Sequence, residues 1–124
     1  MALSTATILS QLQTLQRRRR AVLGRLLHTD ELAVGTVSWV ERRCGRPGCH
    51  CTQGSGHRQL QFLFADADGR RRCKVIRRTD EARLEEANQR YRDCRQDLRE
   101  LAAIQKRERQ LLMALVHARE LAYE

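Results

Sequence analysis

From Thr79 to Glu124 the chain runs 46 residues with neither glycine nor proline. Nothing in that stretch breaks a helix, so the last third of the chain is confined to one long helix, or to helices in line. Thr79 is a candidate N-cap, and Asp80, Glu81, Glu85 and Glu86 place negative charge where the helix dipole favours it. Leu84, Ala87, Tyr91, Cys94, Leu98 and Leu101 step as a heptad. The pattern slips by three at Ile104 and resumes through Leu111, Leu115, Ala118 and Ala122, which is coiled-coil spacing with a stammer. Such a helix over 79–124 would reach about 65 Å, against about 35 Å for any helix near the N-terminus. Residues 101–122 are therefore expected to pack on another chain, most simply a second copy, making a homo-oligomer with a dimer favoured. A kinked helix folding back within one chain is the competing arrangement.

Residues 1–30 predict a basic amphipathic helix. Ile8, Leu12, Leu15, Val22 and Leu26 recur at helical steps, with Leu9, Leu23 and Leu27 alongside, and Ser4 or Thr5 can cap the start. Arg19 falls on the apolar stripe, where its stem can lie along the seam. Residues 35–78 change character. Gly35–Arg43 is rich in β-branched and aromatic residues, Gln59–Phe64 alternates, and Arg72–Arg77 returns after Asp66-Ala67-Asp68-Gly69, a strong turn signal. The expected fold is α+β: long N- and C-terminal helices flanking a three-stranded antiparallel β-meander, with a cysteine-rich, zinc-knuckle-like loop in its first connection and a coiled-coil C-terminal helix.

That loop, Cys44-Gly-Arg-Pro-Gly-Cys49-His50-Cys51, packs three thiols into eight residues, and His57 follows. Zinc takes four tetrahedral thiolate or imidazole ligands. Cys44, Cys49, Cys51 and His57 supply that set, with Cys73 as the rival fourth ligand, for a structural Zn2+ site. His50, between two ligands, is expected to point away. Disulfide chemistry is a weaker fit, since five cysteines leave one over. Cys94 reads as a small buried hydrophobe.

Charge is uneven. Of 24 basic and 15 acidic side chains, residues 1–78 hold 15 and 5. The excess is almost all arginine, whose planar fork suits phosphate oxygens. Arg17, Arg18 and Arg20 on the first helix, and Arg42, Arg43, Arg46, Arg58, Arg70, Arg71, Arg72, Arg77 and Arg78 on the meander and its loop, are the candidate nucleic-acid contacts. Aromatic residues make up only 4%, which disfavours an aromatic single-strand platform. No apolar run approaches the ~20 residues of a membrane span, and no signal-peptide core precedes Arg17, so a cytoplasmic protein without membrane contact is expected. No nucleophile, base and oxyanion arrangement stands out, and the chain is not expected to be an enzyme.

Gly35 through Arg78, with Arg42-Arg43-Cys44-Gly45-Arg46-Pro47-Gly48-Cys49-His50-Cys51 and Gly56-His57, resembles an uncharacterised family of small bacterial and archaeal proteins. Those carry a Cys-Gly-Lys/Arg-Pro-x-Cys-x-Cys core, a following Gly-x-x-His, a short sheet and a long C-terminal helix. The resemblance implies that Cys44, Cys49, Cys51 and His57 are the matched positions, which favours His57 over Cys73. Members are often encoded near transposases or integrases, which implies a link to mobile DNA. This chain differs in having Arg58 after His57 and few aromatics in Gln59–Phe64. The expected function is nucleic-acid binding, DNA more than RNA, as an oligomeric accessory or regulatory factor. The alternative is a protein-interaction adaptor whose coiled coil recruits a partner such as a recombinase.

Overall fold

The structure, a computed structural model, describes residues 3–54 and 56–123. In chain order it has helix α1 (Thr5–Leu27), strand β1 (Thr36–Arg42), a short 3-10 turn (His50–Gln53), strands β2 (His57–Ala65) and β3 (Arg71–Val75), a second 3-10 turn (Arg78–Asp80) and helix α2 (Glu81–Ala118). This is the expected α+β arrangement. Two compact units share α2: residues 30–92 form one, and residues 1–29 with 93–124 form the other.

In the first unit the strands lie in the order β1-β2-β3, all antiparallel. The β1–β2 register sets Trp39 opposite Leu60 and Arg42 opposite His57. Opposed residues share a face, so Trp39, Leu60, Phe62 and Phe64 look one way while Arg42, His57 and Gln59 look the other. Leu60 is fully buried, and Phe62 stacks on Phe64 at 5.1 Å between ring centroids. The start of α2 is tied down by Asn88, the one polar residue buried as a whole among the described residues. Its amide donates to the Ala33 and Gly35 carbonyls at 3.1 and 2.9 Å. A Cβ at Gly35 would overlap the Leu63 carbonyl, so only glycine fits at this entry to β1. Glu31 accepts a forked pair from Arg83 at 2.6 and 2.8 Å, and the guanidinium holds the Glu31 carboxyl below its ordinary range.

The second unit is an antiparallel helix pair. Ser4 caps α1 by accepting from the Thr7 backbone N–H at 3.1 Å. The α1 stripe of Ile8, Leu12, Leu15 and Val22 closes on Ile104 and Leu111, with Leu26, Leu101, Ala114 and Leu115 packed around them. Arg19 lies on the seam and pairs with Glu108 at 3.6 Å, as a long stem on an apolar stripe would.

Three sequence expectations are revised here. Thr79 sits inside a 3-10 turn, and α2 starts two residues later at Glu81. The helix stops at Ala118 instead of continuing to residue 124. Leu121 and Tyr123 have nothing to pack on, at 84% and 92% exposure, and a helix end without tertiary contacts frays. Ile104 and Leu111 were expected to need another chain, yet α1 of the same chain buries them both to 1% exposure. The pairing seen is therefore this single α1–α2 seam. No helix among the described residues is long and apolar enough to cross a membrane.

Candidate metal centre

The loop joining β1 to β2 is held at its mouth by the Arg42–His57 rung, and this rung delivers His57 to the cysteines. Within the loop, Gly45 and Gly48 take positive φ on either side of Arg46-Pro47, and the Cys49 N–H closes a turn on the Arg46 carbonyl at 3.3 Å. The 3-10 turn that follows lifts Cys51 inward to 2% exposure. Thr52 fixes its start, donating from both its N–H and its hydroxyl to the Cys49 carbonyl at 3.1 and 2.8 Å. The chain re-enters the sheet at Gly56, where φ is +98° and a Cβ would lie 2.6 Å from the Arg42 carbonyl carbon. Only glycine satisfies both conditions.

The outcome is that one donor atom each from Cys44, Cys49, Cys51 and His57 lies within 4.8 Å of every other. Cys44 Sγ and Cys51 Sγ are 3.4 Å apart, and Cys49 Sγ is 3.3 Å from His57 Nε2. Sulfur ligands about 2.3 Å from a tetrahedral zinc stand about 3.7 Å from one another. The cluster thus has the dimensions of a tetrahedral site and could hold a metal ion. The Cys44 N–H also donates to Cys51 Sγ at 3.4 Å, a contact that favours a thiolate. The Cys44 thiol is lowered to about 6, first by the Arg46 backbone N–H and then by the Cys51 and His57 side chains. Cys51 moves the other way. The Cys44 backbone N–H favours its thiolate, but burial and the neighbouring thiols outweigh that.

All four leading candidates for ligands come together. Cys73 does not join them. It is exposed on β3 opposite Leu63, six residues along β2 from His57, or about 20 Å at strand rise. His50 is exposed, with Nδ1 at 4.0 Å from Cys49 Sγ and its ring edge-on to His57.

The arginines divide. Arg42, Arg43 and Arg46 line one concavity of ≈ 720 Å³ together with Cys44, Cys49 and His57, and no carboxylate lines it among the described residues. Arg43 donates to the Gly54 carbonyl at 3.3 Å, which turns its head toward the loop. Gln59 borders the same concavity, and its side-chain oxygen is buried without a hydrogen-bond partner. Some of the other candidate arginines are engaged. Arg58 lies 4.4 Å over the Trp39 ring, whose Nε1–H donates to Glu85 at 2.6 Å. Arg72 pairs with Asp66 at 2.9 Å, and Arg18 with Glu100 at 3.6 Å. Arg70 and Arg71 are exposed at and after the β2–β3 turn, Arg77 borders a separate cavity of ≈ 730 Å³ with both apolar and charged walls beside Phe62 and Phe64, and Arg78 opens a 3-10 turn. Arg17 and Arg20 lie on α1, in the other unit, with Arg17 reaching Thr14.

The stacked Arg58–Trp39–Glu85 contact went unread in the sequence. Its signal was the diagonal between Trp39 and Arg58 across the β1–β2 rungs, visible once the register is known. The Gln59 acceptor carried no sequence signal.

A short meander with a four-donor Cys3His cluster, bracketed by two helices, defines a small α+β module with a candidate metal site. The chain belongs to the family described as a domain of unknown function, DUF6788, whose model matches residues 12–86. No curated protein and no solved structure matches it.

Proposed function

We propose that the chain is a zinc-stapled nucleic-acid-binding module that acts on duplex DNA as a non-enzymatic accessory factor. The observation that carries this reading is the concavity beside the metal centre. Three arginines converge there without a carboxylate, and a zinc ion held by three thiolates and an imidazole carries a net charge of only about −1, so positive charge remains in excess for a phosphate backbone. The donor set supports the metal's role. Three thiolates and one imidazole suit zinc and fill a tetrahedron, leaving no position for a substrate or an activated water. Zinc then holds Arg43 and Arg46 on a rigid loop, so that little side-chain and loop freedom is lost on binding.

The test is fluorescence anisotropy of metal-replete protein with labelled duplex DNA and single-stranded RNA at two salt concentrations. Duplex binding should fall steeply with salt. Replacing Arg42, Arg43 and Arg46 together with alanine should reduce the slope of log K against log salt by about two to three, one phosphate contact being worth about one. Preference for the RNA would move the reading to RNA binding. Absence of salt-dependent binding to either would overturn it.

A further inference from the structure

Helix α1 and residues 93–118 of α2 cover one another along a single seam, and the two flanks of that seam differ. On one flank Arg18 and Arg25 both reach Glu100, at 3.6 and 3.5 Å, and Arg107 donates to Gln11 at 3.2 Å. These contacts identify which sides of the two helices adjoin. At about 100° per residue, Leu9, Leu23 and Leu27 lie on the other side of the α1 stripe from Arg18 and Arg25. By the same arithmetic Leu98, Leu112 and Val116 lie on the other side of the α2 stripe from Glu100 and Arg107. Both sets therefore share the second flank. These six side chains are between 37% and 76% exposed.

We infer that this second flank is a homodimer interface, on which a second copy of the chain closes a four-helix bundle. The choice of a second copy rests on the pattern of the face. On α1, Leu9, Gln16 and Leu23 are spaced by sevens, and on α2, Leu98, Gln105 and Leu112 are spaced by sevens. The Arg18–Glu100 and Gln11–Arg107 contacts set the helices antiparallel, so Leu9 lies near the level of Leu112, Gln16 near Gln105 and Leu23 near Leu98. The face thus reads leucine layer, glutamine layer, leucine layer. A two-fold axis through the middle layer maps such a pattern onto itself, leucines against leucines and amides against amides. Side-chain amides can donate and accept at once, so they satisfy one another across the axis, and a polar layer among leucines fixes register. Arg20 and Arg109 stand at the outer margins, where their stems extend the apolar cover.

The six apolar side chains offer roughly 600 Å² per copy before the glutamines and arginine stems are added, close to the ~800 Å² per partner of a standard interface. A pair of helices with one seam leaves this area wet, and two pairs face to face bury it. The inference does not depend on nucleic-acid binding, because all its residues lie in the unit that lacks the metal centre.

Sedimentation equilibrium of the full, metal-replete chain without nucleic acid should give twice the 14.4 kDa chain mass. Leu98→Glu with Leu112→Glu should return it to one chain mass with the far-UV helical signal retained. Leu23→Ala with Leu112→Ala removes apolar area without adding charge, and should raise the dissociation constant roughly tenfold or more should the glutamate variant fail to fold. Gln16→Leu with Gln105→Leu should tighten association. A wild-type chain that stays at one chain mass into the hundred-micromolar range, or alanine substitutions that leave the dissociation constant unchanged, would overturn the inference.

Discussion

Gly56 shows how much of the metal centre depends on one backbone position. A Cβ there meets Arg42 backbone atoms at 2.6 and 2.8 Å, with φ at +98°. Gly56→Ala should therefore push His57 away from Cys49 and weaken metal binding, without removing any ligand. Competition with a zinc chelator measures it: the alanine variant should lose metal at least tenfold more readily, whereas Cys73→Ser should match the parent. Cys49→Ser should lose stoichiometric metal outright, and retention of one equivalent would reject the four-donor assignment. Asp66 makes a different residue-scale case. Its carboxylate accepts from the Arg72 guanidinium at 2.9 Å and from the Arg70 and Asp68 backbone N–H groups at 2.9 and 3.0 Å. Arg72 first, then those N–H groups, hold it below the usual carboxylate range. A depressed folded-state value means that the stabilisation is complete above the unfolded value of about 3.9 and disappears as pH falls through the folded one. Amide protection in residues 65–71, taken relative to the intrinsic exchange rate at each pH, should fall in that acid window, and Asp66→Asn should flatten the dependence.

At the scale of elements, α2 separates two kinds of apolar residue that the sequence shows as alike. Leu111 is buried to 1% exposure against α1, while adjacent Leu112 is 50% exposed. Leu111→Ala should cost about 2–5 kcal/mol in urea unfolding. In a chain held dilute enough to be monomeric, Leu112→Ala should cost far less, so equal losses would mean that the seam is wrongly placed. The repeat read along the last helix included Leu111 and also Leu98, which is 55% exposed, but could not say which partner each would meet. Periodicity reports a face and not its occupant. The meander was legible for the opposite reason. The Asp-Gly turn, the β-branched run of β1 and the alternation of β2 are local signals, and they fixed three strands to within two residues at each end. What they leave open is register. Once Arg42 stands opposite His57, the fourth donor follows and Cys73, six residues along from the right rung, drops out.

At the scale of the molecule, the charge excess read from the sequence is spread over both units, but the fold puts it to different uses. Arg18, Arg19 and Arg25 are drawn into ion pairs with Glu100, Glu108 and Asp97 along the helix pair. Two of the four consecutive arginines, Arg18 and Arg19, thus have a carboxylate within reach, whereas none lines the concavity of Arg42, Arg43 and Arg46 among the described residues. Composition counts cations and cannot see which have a carboxylate within reach. The same division sets what metal removal should do. The Cys3His cluster anchors both ends of the β1–β2 loop, but the helix-pair core of Ile8, Leu12, Leu15, Val22, Ile104 and Leu111 contains none of its ligands. Metal binding energy in small sites of this type is folding energy for the segment it closes. Chelation should therefore raise amide exchange across residues 43–57 and the adjoining ends of β1 and β2, while amides of α1 keep their protection. Exchange with mass-spectrometric readout, with and without a zinc chelator, resolves the two segments in one experiment. Protection lost equally from α1 and the loop would mean that the metal holds the whole chain together, and protection unchanged in both would remove the metal from the account of folding.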